Sequence, residues 1–444
     1  MFFKRKPSPL FACFLVFFSS KIWAQEIKIP EGTKPGDTIT IIEKEPSPLP
    51  AINRLDYDSL RKARELMSRQ LELVKFESFN ANTRKDTLEY LSLAYLNMNE
   101  IPKSVKECKA LKTIKLSYNQ LSRIPRYFRK FPELKTLRIA GNNSGNKSIK
   151  IPRLKNVEII DLQENGLSKL PLSIRKIKSL REINLSRNFF TRIPLRLRRN
   201  KNLVTLKLNE NHLKLDEQKL HKLAQIEYLR MNKCDINYFT DNLFDLVNLK
   251  ELQLAENNIR VLPDRISELS RLESISLYKN SIDSLPPGFY SLKNLKIADL
   301  YYNKIERISS DIENLKNLEI LYLSFNSIFL VPENIGALAS LKQLYLHHNR
   351  LFYIPESIGN LNELNILHLQ NNLLNYFPPQ ILKLKKLREL DISYNDIEEF
   401  PENLADLKSM ELLFLQKNPF WNKVDNEITF IEQFRRMGTN VIFQ

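Results

Sequence analysis

The chain has 444 residues, 43% hydrophobic and 27% charged, which is enough apolar material for a large core and excludes both a disordered chain and a disulfide-stapled miniprotein. Only 9 residues are Gly, so glycine-rich phosphate cradles and dinucleotide turns have little to be built from. Lys and Arg number 68 against 51 Asp and Glu, a formal net charge of +17.

The N-terminus has the layout of an export signal. Lys4, Arg5 and Lys6 precede an unbroken apolar run from Leu10 to Phe18, and small and polar residues lead to Trp23-Ala24-Gln25, with cleavage expected after Ala24. The run is too short for a membrane-spanning helix, which needs about 20 residues. Lipidation at Cys13 is disfavoured by the bulky Phe11 and by an apolar stretch that follows the cysteine instead of preceding it. The Ala24-Gln25 end before an acidic residue is similar to signal ends in Bacteroidetes, which implies a bacterial source and a secreted or cell-envelope location. No later stretch approaches 18 apolar residues, so no transmembrane span is expected.

Residues 1–24 are therefore read as signal peptide. Residues 25–50 combine strand-like alternation (Thr38, Thr40, Ile41, Ile42) with a stiff Pro46-Ser47-Pro48-Leu49-Pro50 linker. Residues 51–87 read as an N-terminal helical cap. Leu60, Ala63, Met67, Leu71 and Val74 recur at helical spacing over Asp58 to Phe76, suited to covering the open end of a repeat array.

From Leu88 onward the chain repeats every 23 residues. Fifteen apolar residues from Leu88 to Met410 stand 23 apart, a second apolar column runs from Leu91 to Leu413, and a third from Leu93 to Leu415. We number the units 1–15 and their positions from these residues. Positions four and six point one way in a strand while three, five and seven point the other. One such strand cannot bury its apolar face alone, so the units must stack into a parallel sheet. Position nine is Asn in thirteen of fifteen units, with Leu96 and Cys234 the exceptions, and its amide can link successive turns into a ladder. Position fifteen is often Pro, from Pro102 to Pro401, which suits entry to a short helical or irregular segment.

The pattern L-x-x-L-x-L-x-x-N-x-L over 88–420 resembles the leucine-rich repeat family. The 23-residue unit with Leu-Pro or Ile-Pro is similar to the Ras-group and bacterial type. The resemblance implies an α/β fold: a curved horseshoe of 15 repeats, a parallel β-sheet on its concave face, short helical or irregular convex segments, and helical caps. It also implies that a Cys at position nine substitutes for the ladder Asn. Departures mark irregular places. Gly141 to Asn146 lengthens the loop after the third strand while the convex segment shortens by as much. Asp216 to Leu223 reads as a true helix. The cap at 421–444 carries Ile428, Ile431 and Phe434 on a closing helix, then a last strand from Val441 to Phe443.

Catalytic motifs are scarce. Gly141 to Ser148 lacks the Gly that a phosphate loop needs before Lys147, and Cys108 and Cys234 stand about 25 Å apart by strand spacing, beyond disulfide reach. His347 and His368 should face the concave side about 8 Å apart, with Asp391 the nearby carboxylate in the same column. Exposed imidazoles acting as ordinary contacts are the expected role, with no metal, no cofactor and no enzyme activity.

Binding residues are sought instead on the variable concave positions. Aromatic and imidazole side chains gather there in the later units: Tyr278, Tyr301, Tyr302, Tyr322, Phe325, Tyr345, His347, His368, Tyr394 and Phe414. Such rings are anchors for a protein or glycan partner, although family habit, with rings stacking across strands, would also place them there. Residues 101–210 hold 27 Lys and Arg against 7 Asp and Glu. A basic patch of Lys115, Arg138, Arg175, Lys176, Arg198 and Arg199 would favour an anionic surface polymer, with nucleic acid not expected. The expected function is that of a monomeric, non-enzymatic binding protein. Its rivals are an intracellular Ras-group-type scaffold, should Met1 to Ala24 be retained, and an envelope or adhesion protein using the basic half.

Overall fold

The computed structural model describes residues 72–73, 76–142, 149–215, 219–422, 431–432, 434 and 438–443, all within one compact unit, Lys62–Gln444. The expected signal, the 25–50 segment and most of the Asp58 to Phe76 helix lie outside these residues. The helix continues past its expected end: backbone at 76–81 is helical, and Phe79 stacks on Phe76 at 6.4 Å with 4% exposure. Phe79 thus closes the first repeat, burying apolar area that Phe76 alone would leave wet.

Sixteen strands form one parallel sheet in sequence order, from β1 (Tyr90–Ser92) to β16 (Asn440–Ile442). The register follows the repeat, with Leu321 opposite Leu344 and Leu344 opposite Leu367. Positions four and six are buried throughout the array, as at Leu321 and Leu323, both 1% exposed. Fifteen strands belong to the repeats. The sixteenth comes from the cap and pairs Asn440 with Leu412, covering the last repeat's edge. Ile431 and Phe434, 3% and 1% exposed, pack beneath it from helical backbone, while Ile428 lies outside the described residues.

After each strand the chain turns at position eight, which has positive φ in every unit. Tyr302, Phe325, His348 and Tyr394 lie at 55°, 53°, 52° and 52°. A left-handed conformation costs a bulky residue about 1–2 kcal/mol, so the surroundings must hold it. Two sets of hydrogen bonds do. The position-eight amide still reaches the next unit, as Phe325 N to His347 O at 3.0 Å. The following Asn then ties its own unit to the preceding one. Asn257 Nδ2 donates to Met231 O at 2.9 Å and Leu254 O at 2.8 Å, and its Oδ1 accepts from Cys234 N at 2.9 Å and Ile236 N at 3.1 Å. Cys234 takes the same place with its thiol donating to Leu208 O at 3.1 Å. Having no amide oxygen to offer, it leaves Leu213 N to donate to the backbone carbonyl of Cys234 itself, at 3.0 Å.

The convex return is made of short 3-10 turns, mostly entered through Pro, with a single α-helical turn at Pro287–Tyr290 among the described residues. The helix expected over Asp216 to Leu223 is corrected to a 3-10 turn at Leu220–Leu223, residues 216–218 lying outside the description. The short circuit of one repeat leaves room only to anchor Leu220 and Leu223 in the core before the next strand begins. In unit 3 the isolated bridge Arg123↔Lys150 is four positions longer than Arg307↔Leu330, which keeps the ordinary period. The strand register Thr136↔Ile159 is nonetheless kept, so four residues were gained in the loop and four lost from the convex segment.

Candidate functional site

Strands β9 (Ser274–Ser276), β10 (Ile297–Asp299), β11 (Ile320–Tyr322), β12 (Gln343–Tyr345) and β13 (Ile366–His368) lie side by side, so equal positions of successive units stand about 4.8 Å apart. That spacing suits stacked rings. In column five Tyr322 and Tyr345 stack with centroids 4.7 Å apart, and the His368 ring meets Tyr345 at 4.9 Å. In column seven Tyr278 stacks on Tyr301 at 5.7 Å. In column eight Tyr302 stacks on Phe325 at 4.3 Å and Phe325 on His348 at 3.9 Å.

One residue joins the columns. The His347 ring lies 5.7 Å from Tyr301, 5.6 Å from Phe325, 5.9 Å from His368 and 6.5 Å from Tyr345. Tyr301 and His347 belong to units 10 and 12. They meet because the intervening column-seven residue is the small Ser324, whose hydroxyl lies 2.8 Å from His347 Nδ1. His347 and His368, expected to stand apart as separate exposed imidazoles, are therefore in ring contact as parts of an aromatic network.

These side chains are less exposed than their positions suggested. Most are half-buried against one another; Tyr302 at 41% and Tyr394 at 50% exposure are the open ones. Tyr394, and Phe414 on β15 (Leu412–Phe414), sit one and two units beyond His368, with Phe414 in register between Asp391 and Ile442. His348 completes the network, although it was not among the binding residues expected from the sequence. Its signal was the unbroken column Tyr302, Phe325, His348.

Burial sets the electrostatics. It lowers His347 to a pKa of about 3, helped by repulsion from His368 and His348, so the hub imidazole is neutral across the physiological range. Burial also lowers His348, against the pull of Asp391. The carboxyls of Asp299 and Asp391 are raised by burial, although each accepts a serine hydroxyl, Ser276 Oγ at 2.7 Å and Ser393 Oγ at 2.6 Å. His368 Nε2 is committed to Glu389 Oε1 at 2.7 Å, and Asp391 to Ser393, so the residues weighed as metal ligands already have protein partners. Among the described residues no group of three or more His, Cys, Asp or Glu could hold a metal ion.

The six basic residues divide between two faces, as their repeat positions imply. Lys115 and Arg138 stand in register on strands Thr113–Lys115 and Thr136–Arg138, with Lys115 Nζ 5.3 Å from the Tyr90 ring centre. Arg175 and Lys176 belong to the turn Ile174–Lys176, and Arg198 and Arg199 to Leu195–Arg199, on the convex side. The apolar core lies between strand and return segment, so no common surface joins them.

Models of the leucine-rich repeat family match residues 86–143 and 362–420 ("Leucine rich repeat"), 229–331 ("Leucine-rich repeat region") and 340–361, together more than half of the chain. A comparison with curated proteins gives no match. Among solved structures, a leucine-rich repeat protein of Leptospira interrogans is similar at 24% identity and a TM-score of 0.65, covering 81% of this chain and 96% of its own. An internalin of Listeria monocytogenes gives 19% identity and 0.53, covering 81% and 87%. The Drosophila Toll–Spatzle complex gives 26% and 0.60, covering 72% of this chain and 46% of that one. Among the described residues no helix is long and apolar enough to cross a membrane.

Proposed function

The chain belongs to the leucine-rich repeat family, and from that premise we propose that it is a monomeric, non-enzymatic binding protein that takes a protein or glycan partner on its concave sheet. The observation that carries this is the ring network running unbroken from Tyr278 to His368. Rings fixed by mutual stacking lose little side-chain entropy when a partner covers them, which is what an anchor surface needs. The Toll chain, seen in complex with Spatzle, is a relative of the same fold with a protein partner.

The test uses the mature chain as bait against extracts of its source cells, beside a Tyr322→Ala/Tyr345→Ala variant. The variant should lose the main captured species while melting only slightly lower, since a stacked aromatic pair contributes about 0.5–1.5 kcal/mol. Equal capture by both would refute the site. The proposal includes export. Sequencing the protein recovered from source cells should begin at Gln25, and a chain retaining Met1 would refute it.

A further inference from the structure

We infer a second binding surface on the convex side of units 1–5, whose ligand is a linear polyanion: a flexible polymer of repeated anionic groups. This surface is independent of the concave site. The convex segments 102–110, 125–133, 152–156, 171–179 and 194–202 hold fifteen Lys or Arg and only Glu107 and Glu133 as acids. All fifteen except the half-buried Arg175 are exposed. Glu107 is already drawn to Lys85 at 3.8 Å.

The fold does not require this charge. Lys103 and Arg126 open 3-10 turns immediately after Pro102 and Pro125, and at the same position later units carry Asp264, Glu333 and Glu356 after Pro263, Pro332 and Pro355. The acidic choice suits the positive end of a helical turn, and the basic choice opposes it. At position two, by contrast, opposite charges of adjacent units pair. Glu89 meets Lys112 at 2.6 Å, Glu227 meets Lys250 at 2.9 Å, and Glu273 meets Lys296 at 2.7 Å. Along the convex side of units 1–5 the signs do not alternate, so the stacked turns repel one another. A run of like charge that weakens the fold is explained by an oppositely charged ligand.

The arrangement favours a polymer over a bilayer. The charges follow an outward-bowed row across five units, which a flexible chain can track and a flat membrane touches only in part. Among the described residues of these segments the one exposed large apolar side chain is Leu172, at 58%, so little would enter a lipid interior.

The test titrates the full chain with inorganic polyphosphate of about 50 phosphates at rising NaCl. Binding should weaken roughly tenfold or more between 100 and 300 mM NaCl, as counterion release requires. The variant Arg126→Glu/Arg129→Glu/Arg198→Glu/Arg199→Glu should bind at least about 100-fold more weakly, while Lys115→Glu/Arg138→Glu on the concave sheet should stay within about threefold of the parent. Should the charge reversal prevent folding, the same four positions changed to Gln should shallow the salt slope. Absence of binding, or greater loss from the concave pair, overturns the site. Equal or tighter binding to vesicles of one part phosphatidylglycerol to two parts phosphatidylcholine overturns the ligand.

Discussion

The Ser324 hydroxyl and His347 Nδ1 lie 2.8 Å apart across a unit boundary, and this contact keeps a buried imidazole at the centre of the ring network. Burial holds His347 near a pKa of about 3, whereas an unfolded histidine titrates near 6.5. Below pH 6.5 the unfolded chain therefore binds a proton that the folded chain refuses. The stability due to His347 is complete above that pH and is lost as pH falls toward 3, by about 2 kcal/mol at pH 5. Asp299 and Asp391, raised by burial, act in the opposite sense at the acid end. Replacing His347 by Tyr, the residue of the same column at 278 and 301, should flatten the fall in melting temperature between pH 7 and 5. An unaltered fall would show that His347 is not its source.

The ladder should be unequal along its length. Asn257→Ala removes three donated and two accepted bonds, most of them inside the core, and should cost about 3 kcal/mol. Cys234→Ala gives up weak thiol bonds, while its neighbour Leu213 N keeps a backbone acceptor, so about 1 kcal/mol is expected. Denaturant unfolding of both variants measures the difference, and equal losses would contradict the hydrogen-bond assignment.

Both described cysteines should be inert in the folded chain. Burial pushes the Cys108 thiol up to about 11 and Cys234 to about 12, and neither side chain is accessible. A thiol reagent at pH 8 should label neither until guanidinium unfolds the chain. Rapid labelling of Cys234 in the native state would show that its unit opens locally.

Gly288 marks a close approach between convex turns. A Cβ there would stand 1.9 Å from Asp264 O, while Gly288 N donates to Asp264 Oδ1 at 2.6 Å. Gly288→Ala should destabilise by about 2–4 kcal/mol, since two backbone segments must separate. Gly438→Ala has open space around the new methyl and meets only the strain of φ +83°, about 1 kcal/mol. Thermal melts of the pair check the ranking.

Most of the fold was legible because it is periodic. Columns one, four and six from Leu88 to Leu415 fixed the strands, their register and their buried side, and Asn at position nine fixed the ladder. Arg123 pairing with Lys150 was implied by the same arithmetic once the Gly141 to Asn146 insertion was counted. The site was legible only in outline. Columns identify which rings share a face and can stack on their neighbours, but not that Tyr301 and His347 meet across an intervening unit over the small Ser324.

Sequence alone thus determined the solenoid and its inner and outer faces, because a strict repeat period returns each side chain to an equivalent environment. Tertiary structure decided the left-handed turn at position eight and the burial of His347. These depend on distances between side chains in different units, where packing and desolvation act together and no local pattern records the outcome.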